Sequence, residues 1–390
     1  MKPESDKILV VVESPSKIKK IQQILNQLFE GKYEFIVKAS YGHVRDLDNK
    51  KLSINIDNNF EPVYVKGQNK DRVISELRYA NKQCKEVWLA SDCDREGESI
   101  AWHLSELLNL DKSRRKRIIF SEITKQALKK AAENPKDIDM HMFYAQQARR
   151  VIDRLIGYLI SPILWKQIQN STKKNVSLSA GRVQSVVMRL IIEREREIQK
   201  FESSGFYKTV GKFITEKDKS TVINTDLNEN LKDKNQAKTF LNNCIESEFV
   251  VSDVTTKKST RKPSPPFITS TLQQEASTKL RMSPKNTMAS AQKLFEAGKI
   301  TYMRTDSVEL SKEAQGMISD HINKNYGEDY LNVKQYKSKS KNSQEAHEAI
   351  RPCDISVMDV SDSGLGANEC RLYKLIWKRT VACQMSPCKV

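Results

Sequence analysis

No Cys-x-x-Cys pair occurs in this sequence; its seven thiols are scattered at 84, 93, 244, 353, 370, 383 and 388. That spread argues against a disulfide framework or a zinc ribbon and for reduced thiols in a cytosol. No apolar run approaches a membrane span, and mean hydropathy is −0.60. The opening MKPESDKILVVVE lacks a signal-peptide layout, because its brief apolar run stops at Glu13. Internal repeats, low-complexity tracts and a Walker-type Gly-rich loop for ATP are also missing. Negative charge is the scarcer sign, with 49 acidic residues against 66 basic ones and a net charge of +17. Such a surplus implies a polyanionic partner, most simply nucleic acid. A chain of 390 residues has room for roughly two or three domains with cores of their own.

Against this basic background, one stretch concentrates acid. Val87-Trp88-Leu89-Ala90 is a short apolar run typical of a buried strand, and Asp92, Asp94, Glu96 and Glu98 follow it within seven residues. Gly97 relaxes the backbone there, and an amphipathic helix is expected from about Ser99 to Leu108. On an extended loop alternate residues point the same way, so Asp92, Asp94 and Glu96 are expected to converge on one cation. Carboxylates without His or Cys suit Mg²⁺. The plainer reading is a solvated acidic loop; a place at the carboxyl end of a strand, where α/β sheets bind ligands, favours function.

Elsewhere the pattern predicts a central strand at 7–12, a helix at 18–28 with Ile21, Ile24, Leu25 and Leu28 inward, and a strand at 33–39. If the strands at 7–12 and 87–90 are parallel neighbours, Glu13 faces the acidic loop and Lys17 lies beside it. Residues 47–65 read as irregular, 71–82 as helix, 114–119 as a basic patch and strand, and 121–124 as a helix cap. Long helices follow at 141–168 and from Ser179 to about Phe201, the second with Val183, Val186, Val187, Leu190 and Ile191 on one face. Its start, with small residues and Arg182, suits a phosphate as well as an ordinary cap. Residues 206–254 alternate like strands, 257–266 is a Pro- and Lys-rich linker, and helices are expected at 269–281, 284–297, 311–325 and 368–384. Arg304, two residues after Tyr302, could stabilise a phenolate, but nothing local singles Tyr302 out from the other eleven tyrosines.

The chain closely resembles bacterial type IA DNA topoisomerases of the topoisomerase I branch. The matching stretches are VVVESPSK (10–17), SYGHVRDL (40–47), SDCDREGESIAWHL (91–104), SEITK (121–125) and QQARRVIDRLIGYLISPILWK (146–166). They continue, in family order, with LSAGRVQSVVMRLIIEREREI (178–198), PFITSTLQQEAS (266–277), ITYMRTDS (300–307), QEAHEAIRP (344–352) and LYKLIWKRTVACQM (372–385). The resemblance implies a multidomain α/β plus α protein. Its parts are a doubly wound, parallel-sheet Toprim domain at 1–138 with an excursion around 40–62, an incomplete helical DNA-groove domain at 139–200, an incomplete β-rich gate arch at 201–262 and 378–390, and a helical domain at 263–377 carrying the active tyrosine.

It further implies Mg²⁺ held by Glu13, Asp92, Asp94 and Glu96, attack by Tyr302 on one DNA strand to give a 5′-phosphotyrosine link, strand passage and religation without ATP. The expected outcome is relaxation of negatively supercoiled DNA. Arg304 would contact the scissile phosphate, and Lys17 would neutralise developing charge or protonate the leaving oxygen. His347 matches an active-region histidine; His43, Arg149, Asp153, Arg182, Gln184 and Ser185 match DNA-contact positions. The expected partner is a single-stranded segment of supercoiled duplex, bound by a cytoplasmic, nucleoid-associated monomer with no membrane and no nucleotide cofactor. Family members continue beyond Met385, so a complete arch and groove domain are not expected within this sequence, and a DNA-binding remnant is the rival reading. Another Toprim phosphotransfer enzyme is a second rival, one that would not need Tyr302.

Overall fold

The computed structural model describes residues 6–168, 178–215, 219–337 and 348–390, in two compact units, Met1–Ser179 with Ser259–Val390 and Ala180–Lys258. The larger unit begins with β1 (Asp6–Val12), α1 (Ile18–Leu28) and β2 (Tyr33–Ala39). Four short strands follow, β3 (Arg45–Leu47), β4 (Ile54–Asn55), β5 (Glu61–Pro62) and β6 (Tyr64–Lys66), which pair as β3–β6 and β4–β5. The segment expected to be irregular is therefore two small antiparallel ladders; strands of two or three residues are too short to carry a visible alternation. Next come α2 (Asp71–Gln83), β7 (Glu86–Ala90), α3 (Arg95–Leu107), β8 (Arg115–Arg117), α4 (Lys125–Glu133) and α5 (Met140–Gln167).

The four long-range strands form one parallel sheet in the order β2-β1-β7-β8. Its central strand explains why both faces are covered. Ile8, Val10 and Val12 enter one core with Ile21 and Leu25 of α1 and Leu128 of α4, while Leu9 and Val11 enter a second core with α2 and α3. A strand buried on both sides reads as an unbroken apolar run, and each such side chain removed from water contributes about 1.5–3 kcal/mol. Parallel strands with helices on both faces are the doubly wound arrangement.

The second unit holds α6 (Arg182–Lys200), the antiparallel pair β9 (Val210–Ile214) and β10 (Val222–Asp226), and α7 (Lys234–Ile245). The apolar stripe of α6 is exposed, Val183, Val186, Leu190 and Ile191 included. The chain returns to the larger unit through β11 (Thr260–Arg261), inside the segment expected to be a linker. It then forms α8 (Thr269–Leu280), α9 (Pro284–Glu296), α10 (Lys312–Tyr326), α11 (Ala367–Ala382) and β12 (Cys388–Lys389). β12 pairs antiparallel with β11. Phe267, Leu294, Phe295, Ile300 and Tyr302 join the same core as β1 and α1, so the helical body packs directly on one face of the sheet. Among the described residues, no helix is long and apolar enough to cross a membrane.

Candidate active site

Two strand ends make the floor of the site. β1 and β7 run parallel and in register, Val12 opposite Ala90. From β1 the sheet grows outward to β2, and from β7 to β8, so the winding reverses between the two central strands. The crevice beyond their carboxyl ends is where sheets of this kind bind ligands. Glu13 leaves β1 there and Asp92 leaves β7, and a cleft of about 540 Å³ opens over them, lined also by Tyr41, Asp94, Tyr302 and Arg304.

The acidic stretch is not an extended loop. Asp94 is the N-cap of α3, and its Oδ1 accepts from the Gly97 N–H at 2.8 Å, so the helix starts at Arg95, four residues earlier than expected. Once the backbone is helical, alternate residues diverge. Glu96 accepts from His43 Nε2 or shares its proton at 2.8 Å, and takes the Gln146 amide at 3.2 Å. Glu98 turns inward to the Arg117 guanidinium. The expected convergence of Asp92, Asp94 and Glu96 is thus replaced by Glu13, Asp92 and Asp94 around one cleft, with Glu96 directed at His43. Gly97 serves close packing: a Cβ there would sit 2.1 Å from the Asp92 carbonyl oxygen.

Arg117, expected in a basic surface patch, is buried. Its Nε donates to Glu98 Oε2 at 2.9 Å, Nη1 to the carbonyls of Leu89 and Ser91 at 3.0 and 2.8 Å, and Nη2 to that of Asp92 at 2.7 Å. One guanidinium thereby fixes the backbone from which Asp92 projects. The only local hint was Glu98, an acid set in an apolar helix that needs a cation once buried; its partner is invisible in sequence.

The other wall comes from the helical body. The Tyr302 N–H donates to the Ser121 carbonyl at 2.7 Å, and its hydroxyl donates to Asp94 Oδ2 at 2.5 Å. Arg304 Nη1 lies 3.4 Å from the same oxygen. Phe295 packs edge-on to Tyr302, with centroids 5.2 Å apart, and the buried Lys17 amine sits 5.1 Å above its ring while donating to Asp92 Oδ1. Burial, reinforced by Asp92, pushes the Glu13 carboxyl up to about 7. Burial also raises Asp92, against the pull of Lys17, and holds the Tyr302 phenol well above its ordinary range, with Asp94 and Asp92 adding to the effect.

This chemistry fits a hard divalent cation. Glu13, Asp92 and Asp94 give the cleft hard carboxylate oxygens, and Glu13 holds its proton up to about pH 7 because it is buried with Asp92 close by, a penalty that a cation would relieve. Among the described residues no three acidic, His or Cys side chains close into a metal-ligand group; Asp92 is paired with Lys17 and Asp94 with Tyr302. Glu13, Asp92 and Asp94 are the residues that would hold the ion.

The remaining expected positions lie elsewhere. Arg149 and Asp153 are exposed on α5. Their neighbours tie that helix to the small ladders: Arg150 Nη2 to Asp46 at 2.5 and 2.7 Å, and Arg154 Nη1 to the Asp48 carbonyl at 2.7 Å. Arg182, Gln184 and Ser185 form the first turn of α6 in the second unit, and His347 lies outside the described residues. Sequence reasoning missed Tyr41, Phe295 and Arg117.

A family model described as DNA topoisomerase matches residues 137–390, and a Toprim domain model matches residues 8–123. A protein of Acanthamoeba polyphaga mimivirus described as "DNA topoisomerase 1 type prokaryotic" is 46% identical over 409 aligned positions, covering 98% of this chain and 45% of that protein. The structure of full-length topoisomerase I from Thermotoga maritima superposes with a TM-score of 0.81 at 37% identity, covering 98% of this chain and 61% of that one. The chain thus spans under half the length of the viral relative.

Proposed function

The chain belongs to the type IA DNA topoisomerases of the topoisomerase I branch, and from that membership we propose that it cuts and reseals one strand of DNA through Tyr302. The observation that carries this reading is the Tyr302 hydroxyl seated on Asp94, at the carboxyl edge of the sheet, with Arg304 beside it. In the proposed reaction the Tyr302 oxygen attacks the scissile phosphorus, Asp94 accepts the phenolic proton, and the bond to the 3′-oxygen breaks. Arg304 would bear on the phosphate oxygens, and Lys17 would supply the proton or charge that the leaving oxygen requires. Resealing reverses each transfer, so the phosphodiester energy is kept and no ATP is needed. A bound Mg²⁺ would supply charge to the DNA phosphates and hold them in line.

The substrate proposed is a single-stranded segment of negatively supercoiled DNA, approached along a backbone-tracking basic surface, by a monomer working where the genome lies in the cytoplasm. The domains proposed are the Toprim domain, the groove and arch segments and the tyrosine-bearing body, at the boundaries given above. His43, Arg149, Asp153, Arg182, Gln184 and Ser185 are proposed to contact the strand.

A 3′-end-labelled oligonucleotide tests the chemistry, because the label stays on the protein only if a 5′-phosphotyrosine forms. The expected result is label transfer to the wild-type chain and none to Tyr302→Phe. No transfer to wild type, or transfer that survives Tyr302→Phe, defeats the proposal; the second outcome would favour another Toprim phosphotransfer enzyme.

A further inference from the structure

We infer that Tyr41 forms a subsite for an unpaired nucleobase at the mouth of the cleft, where its ring is a stacking platform for the bound strand. The inference rests on the strand-cleaving function proposed above. Tyr41 lines the cleft together with Glu13, Asp94, Tyr302 and Arg304, yet the residue is 56% exposed. Its backbone has φ +57°, in the left-handed region that aromatic residues seldom occupy. Strain of this kind persists only where the surroundings impose it, and it gathers at functional sites.

Contacts on both sides of the turn impose it. The Ser40 N–H donates to the Val12 carbonyl at 2.9 Å and the Gly42 N–H to that of Glu13 at 3.2 Å, pinning the turn to the end of β1. Lys70 Nζ donates to the carbonyls of Ser40 at 3.3 Å and Tyr41 at 2.5 Å, clamping it from the other side. Among the described residues the Tyr41 ring has no aromatic or cationic neighbour and its hydroxyl no hydrogen bond. The fold thus holds a large flat ring in an unfavourable backbone state and leaves more than half of the residue open to solvent. A ring offered to solvent beside a phosphate-handling cleft suits a nucleobase, because every base has a π face and stacking tolerates any sequence.

The test is a double-mutant cycle on the full chain. Affinities for a single-stranded oligonucleotide, and for a set with one abasic site at each position around the cleavage point, are measured by fluorescence anisotropy for wild type, Tyr41→Asn and Tyr41→Trp. Asn accepts a left-handed backbone without a ring. Tyr41→Asn is expected to weaken binding of the intact oligonucleotide roughly tenfold, and Tyr41→Trp to preserve it. One abasic position should cost wild type the same factor and Tyr41→Asn nothing, with the Tm of Tyr41→Asn unchanged or higher. Equal affinity of Tyr41→Asn and wild type overturns the inference. So does an abasic penalty equal in both chains, or a fall in Tm that accompanies the lost affinity. Label transfer is scored separately on the intact oligonucleotide, so a chain that stacks bases without forming an adduct refutes the cleavage function and not the subsite.

Discussion

Tyr302 and Asp94, 208 positions apart in the chain, share a hydrogen bond of 2.5 Å between phenol and carboxylate. The same carboxylate caps α3 through its other oxygen. The proposed nucleophile is therefore aimed by a helix start belonging to the sheet, and its proton already faces an acceptor. Tyr302→Phe removes that bond to a charged group while leaving Arg304 on Asp94. The expected outcome is complete loss of label transfer with a stability loss of about 1.5–3 kcal/mol, read from urea unfolding.

Lys17 and Asp92 are a buried pair, each almost without solvent. Lys17→Met strands a carboxylate in the core and should cost roughly 3–5 kcal/mol. Pairing it with Asp92→Asn removes the uncompensated charge and should recover more than half of that loss. Urea midpoints of the two single variants and the double variant decide it; strictly additive losses would contradict the pairing.

Mg²⁺ should raise the Tm of the wild-type chain, because an ion that binds only the folded state contributes about 2.7 kcal/mol at a hundred times its Kd. Gly97→Ala should abolish that rise. Its new methyl group meets the Asp92 backbone and not a yielding side chain, so the carboxylate must move. Differential scanning fluorimetry with and without Mg²⁺ is sufficient; a shift preserved in Gly97→Ala would remove Asp92 from the ion's coordination.

His103 predicts the acid limb of stability. It is buried among Tyr64, Trp102 and Phe143, and its Nδ1 has no hydrogen-bond partner among the described residues. Burial, then Arg45 and His43, lowers its pKa from 6.5 to about 3. Between those values the unfolded chain binds the extra proton, so stability falls as pH drops through the window, by up to about 1.4 kcal/mol per pH unit. His103→Phe should flatten the curve of unfolding free energy against pH there. An unchanged slope would show that His103 is protonated in the fold.

Periodicity located the elements whose faces are buried. The helix Ile18–Leu28 lies where Ile21 and Leu25 placed it, and the strands at β1 and β2 where their apolar runs did. It failed where a single polar residue changes the local rule: Asp94 read as loop until its capping bond turned the following acids into a helix. It identified an apolar stripe on α6 without showing whether anything covers it. The family motifs supplied Glu13, Asp92, Asp94 and Tyr302 together. Which carboxylate takes which partner was not legible, because Lys17 with Asp92, Arg117 with Glu98 and Tyr302 with Asp94 are contacts set by the packing of strands and helices far apart in the chain.

The pairing of Thr260–Arg261 with Cys388–Lys389 brings the two ends of segment 262–387 side by side. The segment also shares one core with β1 and α1, through Phe267, Leu294 and Phe295. Polar contacts bolt it to the sheet as well: Tyr302 on Asp94, Lys20 Nζ on the Ala297 carbonyl, and Arg351, whose Nη2 lies 3.1 Å from Glu122. In the proposed reaction the first bolt is also the attacking group. Bonded to phosphorus, Tyr302 would have no proton left to give Asp94, so the step that cuts the strand would also draw that bolt.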